Sequence, residues 1–149
     1  MEKKQSAEKI RQVAMDFDNA IESRNFEKAL SAFASGCEIE LLGVKLTGLE
    51  GARRWMNWLF EKVASIRFQP ITIMVDGDTF FEEFVAIAKL DDGREIHSKQ
   101  AEVLIYEDYK LKSLRLYFDR LDFSDAVAKD FISKAIVKQL IKMSLKGLT

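Results

Sequence analysis

Residues 76–119 read DGDTFFEEFVAIAKLDDGREIHSKQAEVLIYEDYKLKSLRLYFD, and this stretch decides the fold. Runs rich in branched and aromatic residues are interrupted by Asp76-Gly77-Asp78, Asp91-Asp92-Gly93 and Glu107-Asp108, all of them turn formers. With the apolar run that precedes Asp76, these segments predict four antiparallel strands in meander order, the last ending at Asp119.

Upstream the period changes from two to between three and four. Ile10, Val13, Ala14, Phe17 and Ile21 place one apolar face on a helix from Ser6 to Ser23. Phe26, Ala29, Leu30 and Phe33 predict a shorter second helix ended by Ser35-Gly36. Short extended segments follow at Cys37–Leu42 and Val44–Thr47. Gly48-Leu49-Glu50-Gly51 then leads into a third helix carrying Trp55, Met56, Leu59, Phe60 and Val63.

Downstream, Phe123–Lys146 returns to helical spacing, with Val127, Phe131, Ile132, Ala135, Ile136, Leu140 and Met143 on one side. Lys134, Lys138, Lys142 and Lys146 recur every fourth residue, a pattern that fits an acidic membrane surface and fits better the wet face of a helix packed on protein. The expected organisation is a cone domain over residues 1–122 with an amphipathic helix over 123–149 packed on it. The fold class is α+β: a curved antiparallel sheet wrapped around N-terminal helices, with an added C-terminal helix.

Composition narrows function by exclusion. A net charge of −1 with both signs interspersed offers no field to concentrate DNA or RNA, so no nucleic acid partner is expected. The single cysteine, Cys37, rules out an internal disulfide and fits a cytoplasmic location. Met1-Glu2-Lys3-Lys4 begins polar and no signal-length apolar run follows, so neither export nor a membrane partner is expected. One histidine, His97, and one cysteine do not make a zinc site, no calcium-loop motif is present, and no cofactor is expected.

Three stretches carry a resemblance. Ala32-Phe33-Ala34-Ser35-Gly36-Cys37-Glu38-Ile39-Glu40 looks like the junction of second helix and first strand in the cone-shaped superfamily of SnoaL-like proteins, ketosteroid isomerase, limonene epoxide hydrolase and the nuclear transport factor family. Gly48-Leu49-Glu50-Gly51-Ala52 resembles its lead-in to the third helix, and Leu114-Arg115-Leu116-Tyr117-Phe118-Asp119 its closing strand. The likeness covers about the first four-fifths of the chain.

Carried over by position, the resemblance argues against two known mechanisms. The tyrosine and base positions of ketosteroid isomerase fall on Phe17 and Leu41, which neither donate nor accept a proton, and only the third position keeps a carboxyl group, as Glu102. The water-activating aspartate of limonene epoxide hydrolase falls on Leu116, and its partners fall near Glu83 and Val85. SnoaL-like cyclases demand less: an acid/base carboxylate in an apolar cavity. That makes Glu102, within Ala101-Glu102-Val103-Leu104-Ile105-Tyr106, the candidate catalytic group, against the alternative that it pairs with Arg115 or a lysine across the sheet.

By the family's pattern Phe17, Trp55, Trp58, Phe84, Leu114, Leu116 and Phe118 wall a pocket for a flat apolar ligand. The competing expectation is that the aromatics fill the cone. His97 is read as an exposed strand residue, Asp119 as a cap and turn former, Glu38 and Glu40 as edge solvation, and Cys37 as packing. Two functions stand: a small-molecule-binding protein whose status as an enzyme is open, and a non-catalytic dimerisation or interaction module with a filled cone. The resemblance also implies a homodimer through the outer sheet face, with Tyr109, Tyr117 and Ile105 on that surface.

Overall fold

The computed structural model describes residues 4–149; the polar start read at Met1–Lys3 lies outside the described residues. Six strands form one sheet: β1 (Phe33–Leu41), β2 (Val44–Thr47), β3 (Ser65–Asp76), β4 (Thr79–Lys89), β5 (Glu95–Glu107) and β6 (Lys110–Tyr117). Their order is β2-β1-β6-β5-β4-β3, so the expected meander β3–β6 is present. β1 joins it by a parallel pairing to β6, the one departure from an antiparallel sheet.

Register shifts between Pro70 and Thr72 on β3 and between Ile105 and Tyr106 on β5 interrupt the ladders. Such bulges bend strands, and the sheet curves without closing. Its concave face is covered by α1 (Ala7–Glu22), which lies on β3, and α3 (Gly48–Lys62), which lies on β1. Between them runs the short α2 (Phe26–Ser31).

Local chemistry sets the ends of these elements. The Ser6 hydroxyl accepts from Lys9 N at 3.3 Å and caps α1, and the Asn25 side chain accepts from Lys28 N at 3.2 Å and caps α2. Between them Arg24 takes φ 55, and its guanidinium donates to the carbonyls of Phe60, Val63 and Ala64 while stacking on the Phe60 ring. A cation on the orphan carbonyls at the C-terminus of α3 therefore fixes the corner between the first two helices. Gly48 begins α3 at φ +68. Gly51 lets α3 approach β2, because a Cβ there would meet Leu46 at 3.0 Å.

Two expectations need correction. Ser35-Gly36 does not end the second helix: α2 stops at Ser31 and β1 has begun by Phe33, whose ring is buried against Phe17 at 5.4 Å. Gly36 instead sits where the β1–β6 register shifts between Phe33 and Glu38, the other common use of a strand glycine.

The second correction concerns the C-terminus. Residues 120–123 form a 3-10 turn, α4 covers only Ser124–Val127, and α5 (Phe131–Ser144) follows a break at Ala128. α5 does not pack on the cone: none of its residues is buried, and its main neighbour is α4. Amphipathic spacing reports that a face needs cover, not which surface covers it.

Candidate functional site

Along β5 the buried side chains are Ile96, Ser98, Gln100, Glu102, Leu104 and Tyr106, so the alternation turns a polar centre with apolar ends toward the helices. β4 presents Phe80, Glu82, Phe84, Ala86 and Ala88 to the same side. Glu82 stands directly across from Glu102, and Glu102 across from Leu116, which in turn pairs with Leu41. One row across the concave face thus reads Leu41, Leu116, Glu102, Glu82, with neighbours about 5 Å apart.

From above, α1 brings Asp18. Carboxyl oxygens of Asp18, Glu82 and Glu102 all lie within 4.8 Å of one another. Exposure is 8% for Asp18, 1% for Glu82 and 6% for Glu102, and among the described residues no lysine or arginine forms an ion pair with any of them. Three buried carboxylates without a counter-ion cannot all stay ionised.

Each group is shifted accordingly. Burial first, and then the Glu82 charge, pushes Glu102 up to about 8. Burial, followed by repulsion from Glu102 and Glu82, holds Asp18 well above the usual carboxylate range. Burial also raises Glu82, but hydrogen bonds from Asp18 and Glu102 favour its charged form. Satisfaction of polar atoms leads to the same arrangement: with all three ionised, Glu82 Oε1 has no donor, and protons on Asp18 and Glu102 supply it. All three groups are thus displaced toward their protonated forms, Glu102 with the value of about 8. Tyr106, whose buried hydroxyl finds no partner, is raised by burial and by the charges of Glu102 and Asp18.

Two clefts open on the molecule, and neither is lined by Asp18, Glu82 or Glu102. One of about 300 Å³ is lined by Leu41, Leu42, Gly43, Leu116, Phe118 and Arg120, and Leu116 is the only residue of the row between it and Glu102. A second, of about 190 Å³, runs between α1, α2 and the β5–β6 turn and ends on Phe17 and Tyr106. The turn is held by Gln5, which donates to Asp78 Oδ1 and Tyr106 O and accepts from Tyr109 N at 2.7 Å. That anchoring fixes a hairpin in which Asp108 and Tyr109 take φ 50 and 59 without glycine.

The residues expected to wall a pocket divide into three groups. Phe17 stacks on Trp55 at 6.2 Å, Phe84 meets Phe68 edge-on at 5.5 Å, and Leu114 is buried, so these four fill the core. Leu116 and Phe118 line the larger cleft. Trp58 is 37% exposed, on the solvent side of α3.

Glu102 lies inside the cone. Arg115 stands opposite Val103, on the other parity of the sheet, so the two are not cross-strand partners. Glu83 and Val85 are only half-buried and belong to the outer parity of β4; the inward acid is Glu82, one residue earlier, and a one-residue shift exchanges faces. Asp18, Glu82 and Tyr106 were missed by the sequence reading, although Glu82 shares parity with Phe80 and Phe84, and Asp18 sits one turn from Ala14 on the apolar face of α1.

The remaining polar residues have ordinary partners. His97 is exposed and bonds Glu95 at 2.6 Å, Glu38 pairs with Lys45 at 3.3 Å, and Asp119 caps the 3-10 turn by accepting from Leu121 N at 2.9 Å. Glu40 is exposed, and the buried Cys37 thiol donates to Gly48 O at 3.4 Å.

A family model described as the SnoaL-like domain matches residues 14–113. No curated protein matches the chain. Among solved structures, a protein of unknown function from Burkholderia pseudomallei, of the NTF2-like type, is similar at TM-score 0.71 and 16% identity, over 80% of this chain and 97% of that one. A limonene-epoxide-hydrolase-like epoxide hydrolase from M. tuberculosis is similar at TM-score 0.69 and 15% identity, covering 87% and 97%. A protein with ketosteroid isomerase-like fold from Catenulispora acidiphila, in complex with trimethylamine, is similar at TM-score 0.68 and 14% identity, covering 76% and 90%. At such identities the likeness is one of fold.

Proposed function

Because the chain belongs to the SnoaL-like domain family, we propose that its cone binds a small, largely apolar molecule and that the Asp18–Glu82–Glu102 cluster holds or moves a proton on it. The observation that carries this reading is geometric: Glu102 and Glu82 stand directly across from each other in one dry row with an Asp18 oxygen within 4.8 Å, and burial pushes Glu102 up to about 8. Two like groups driven apart in protonation are what general acid–base chemistry uses: Glu102 can donate to a carbonyl or developing enolate oxygen, and Glu82 can accept a proton from carbon. Leu116 and Phe118 offer apolar contact at a cleft, and Leu116 stands directly across from Glu102.

This role differs from the two mechanisms argued against on sequence. Phe17, Leu41 and Leu116 still offer no proton chemistry, and the work falls to acids at other positions of the same face. The test uses 2-tetralone, a flat apolar ketone with acidic α protons, in D2O. We expect the protein to speed deuterium uptake at the α carbon, with Glu82→Gln slower by about 10²-fold and the rate falling above about pH 8 as Glu102 loses its proton. Uptake no faster than in buffer, together with no tetralone-dependent change in the fluorescence of Trp55 and Trp58, would sink the reading.

A second reading, an interaction module with a filled cone, draws support from the packed Phe17, Phe33 and Trp55 rings, with centroids 5.4 to 6.3 Å apart. Pairing of two copies through the outer sheet face fits the exposed Tyr117. Sedimentation equilibrium of Tyr117→Glu tests it: a monomeric variant of a dimeric parent supports that face, and an unchanged mass removes it. A cytoplasmic setting fits both readings, since the lone Cys37 is a free thiol.

A further inference from the structure

α5 departs from the rest of the molecule in where it puts apolar surface. Phe131 is 86% exposed, Ile132 69% and Met143 62%, with Ile136 and Leu140 also in solvent. At about 3.6 residues per turn, Ile132, Ile136, Leu140 and Met143 form one stripe that Val137 and Ile141 widen to about half the circumference. Lys134, Lys138, Lys142 and Lys146 occupy the opposite side, and residues 131–149 contain no acidic side chain at all.

Both features bear on what covers the helix. A protein groove usually takes a stripe of roughly 100°, narrower than this one, whereas a flat apolar medium takes a whole side. A second α5 meeting the first stripe to stripe would leave the lysines of both copies on the outside with no acid in either helix to answer them. Anionic headgroups answer the lysines, whose methylene stems can lie along the apolar side while the ammonium groups reach phosphate.

We propose that α5 is an interfacial helix that docks the protein on a membrane surface carrying anionic phospholipid. It lies along the surface rather than through it, since no described helix is long and apolar enough to cross. Its start is prepared: Asp130 accepts from Ser133 N at 2.8 Å and from Ser133 Oγ at 2.6 Å. A helix of 14 residues without tertiary cover is near the limit of stability in water, and the lipid boundary supplies the missing cover. The non-helical backbone at Ala128, φ −85 and ψ 89, separates α5 from α4 and lets it meet the bilayer apart from the cone.

The test is flotation of the full chain with vesicles of phosphatidylglycerol and phosphatidylcholine in equal parts, against vesicles of phosphatidylcholine alone. We expect partition onto the mixed vesicles at least about tenfold higher, with helix content rising on binding. Raising salt from about 0.1 M to about 1 M, which shortens screening from roughly 10 Å to roughly 3 Å, should remove most of it. The double variant Ile136→Glu with Leu140→Glu should lose binding while the cone melts at an unchanged temperature, since neither side chain is buried.

Equal partition onto both vesicle types, no partition onto either, or undiminished binding by the double variant would overturn the proposal. So would self-association of the parent that the double variant abolishes without any vesicle binding, which would assign α5 to a second copy instead.

Discussion

The interior of the cone keeps three carboxyl groups out of water, two on β4 and β5 and one on α1, while α5 keeps five large apolar side chains at least half exposed in it. Each region reverses the ordinary partition of polar and apolar groups, and each does so in its own way. The carboxyl cluster shares its face of the sheet with Phe80, Leu104 and Leu114, all at or near zero exposure, so its desolvation is offset by the core that encloses it. α5 has no such enclosure, and its cost is one of uncovered surface rather than of buried charge. An acid inside a cone and an apolar helix outside it both mark places where stability was not the only requirement.

The contrast can be broken most forcefully at its two ends. Phe80→Ala should cost about 3–5 kcal/mol in urea unfolding, because it opens a cavity beside the carboxyl row, while Ile136→Ala should change stability by less than about 0.5 kcal/mol. Similar losses at the two positions would mean that α5 is covered in solution and that the contrast fails.

A smaller effect follows from protonation. Glu102, Asp18 and Glu82 bind protons more tightly folded than unfolded, so between their ordinary values near 4 and the Glu102 value of about 8 the native state holds more protons. Stability should therefore fall as pH rises through that window, the melting temperature dropping by at least about 5 °C from pH 5 to pH 8. Glu102→Gln keeps a donor to Glu82 but cannot ionise. It should flatten the profile and gain about 1–2 kcal/mol over the parent at pH 8. Identical slopes in parent and variant would show that Glu102 does not carry the proton.

The finest test concerns α5 alone. Asp130→Ala removes its cap, worth about 1 kcal/mol of helix stability, and should speed amide exchange across residues 131–144 while leaving β4 and β5 unchanged. Slowed or unchanged exchange in that helix would show that something other than the cap holds it.

Much of this molecule was legible beforehand. The meander was marked by turns at 76–78, 91–93 and 107–108, and α1 by Ser6 and the spacing from Ile10 to Ile21. Glu102 was singled out, but not its face, because alternation gives parity without saying which parity is inside. Glu82 is hidden for a similar reason: the resemblance falls near Glu83, one residue away and on the opposite face. Asp18 was hidden by distance along the chain, since nothing local tells a helix residue that it will lie over two glutamates more than sixty positions later.

The sequence by itself determined the elements and their order as far as β6, because capping, turn chemistry and hydrophobic period act between residues a few positions apart. It also determined that the last helix is cationic on one side and apolar on the other. Only the tertiary structure decided which acids are buried together and whether that apolar side is covered. Both depend on strand register and on which surfaces meet, and those are settled by long-range packing that no local pattern encodes.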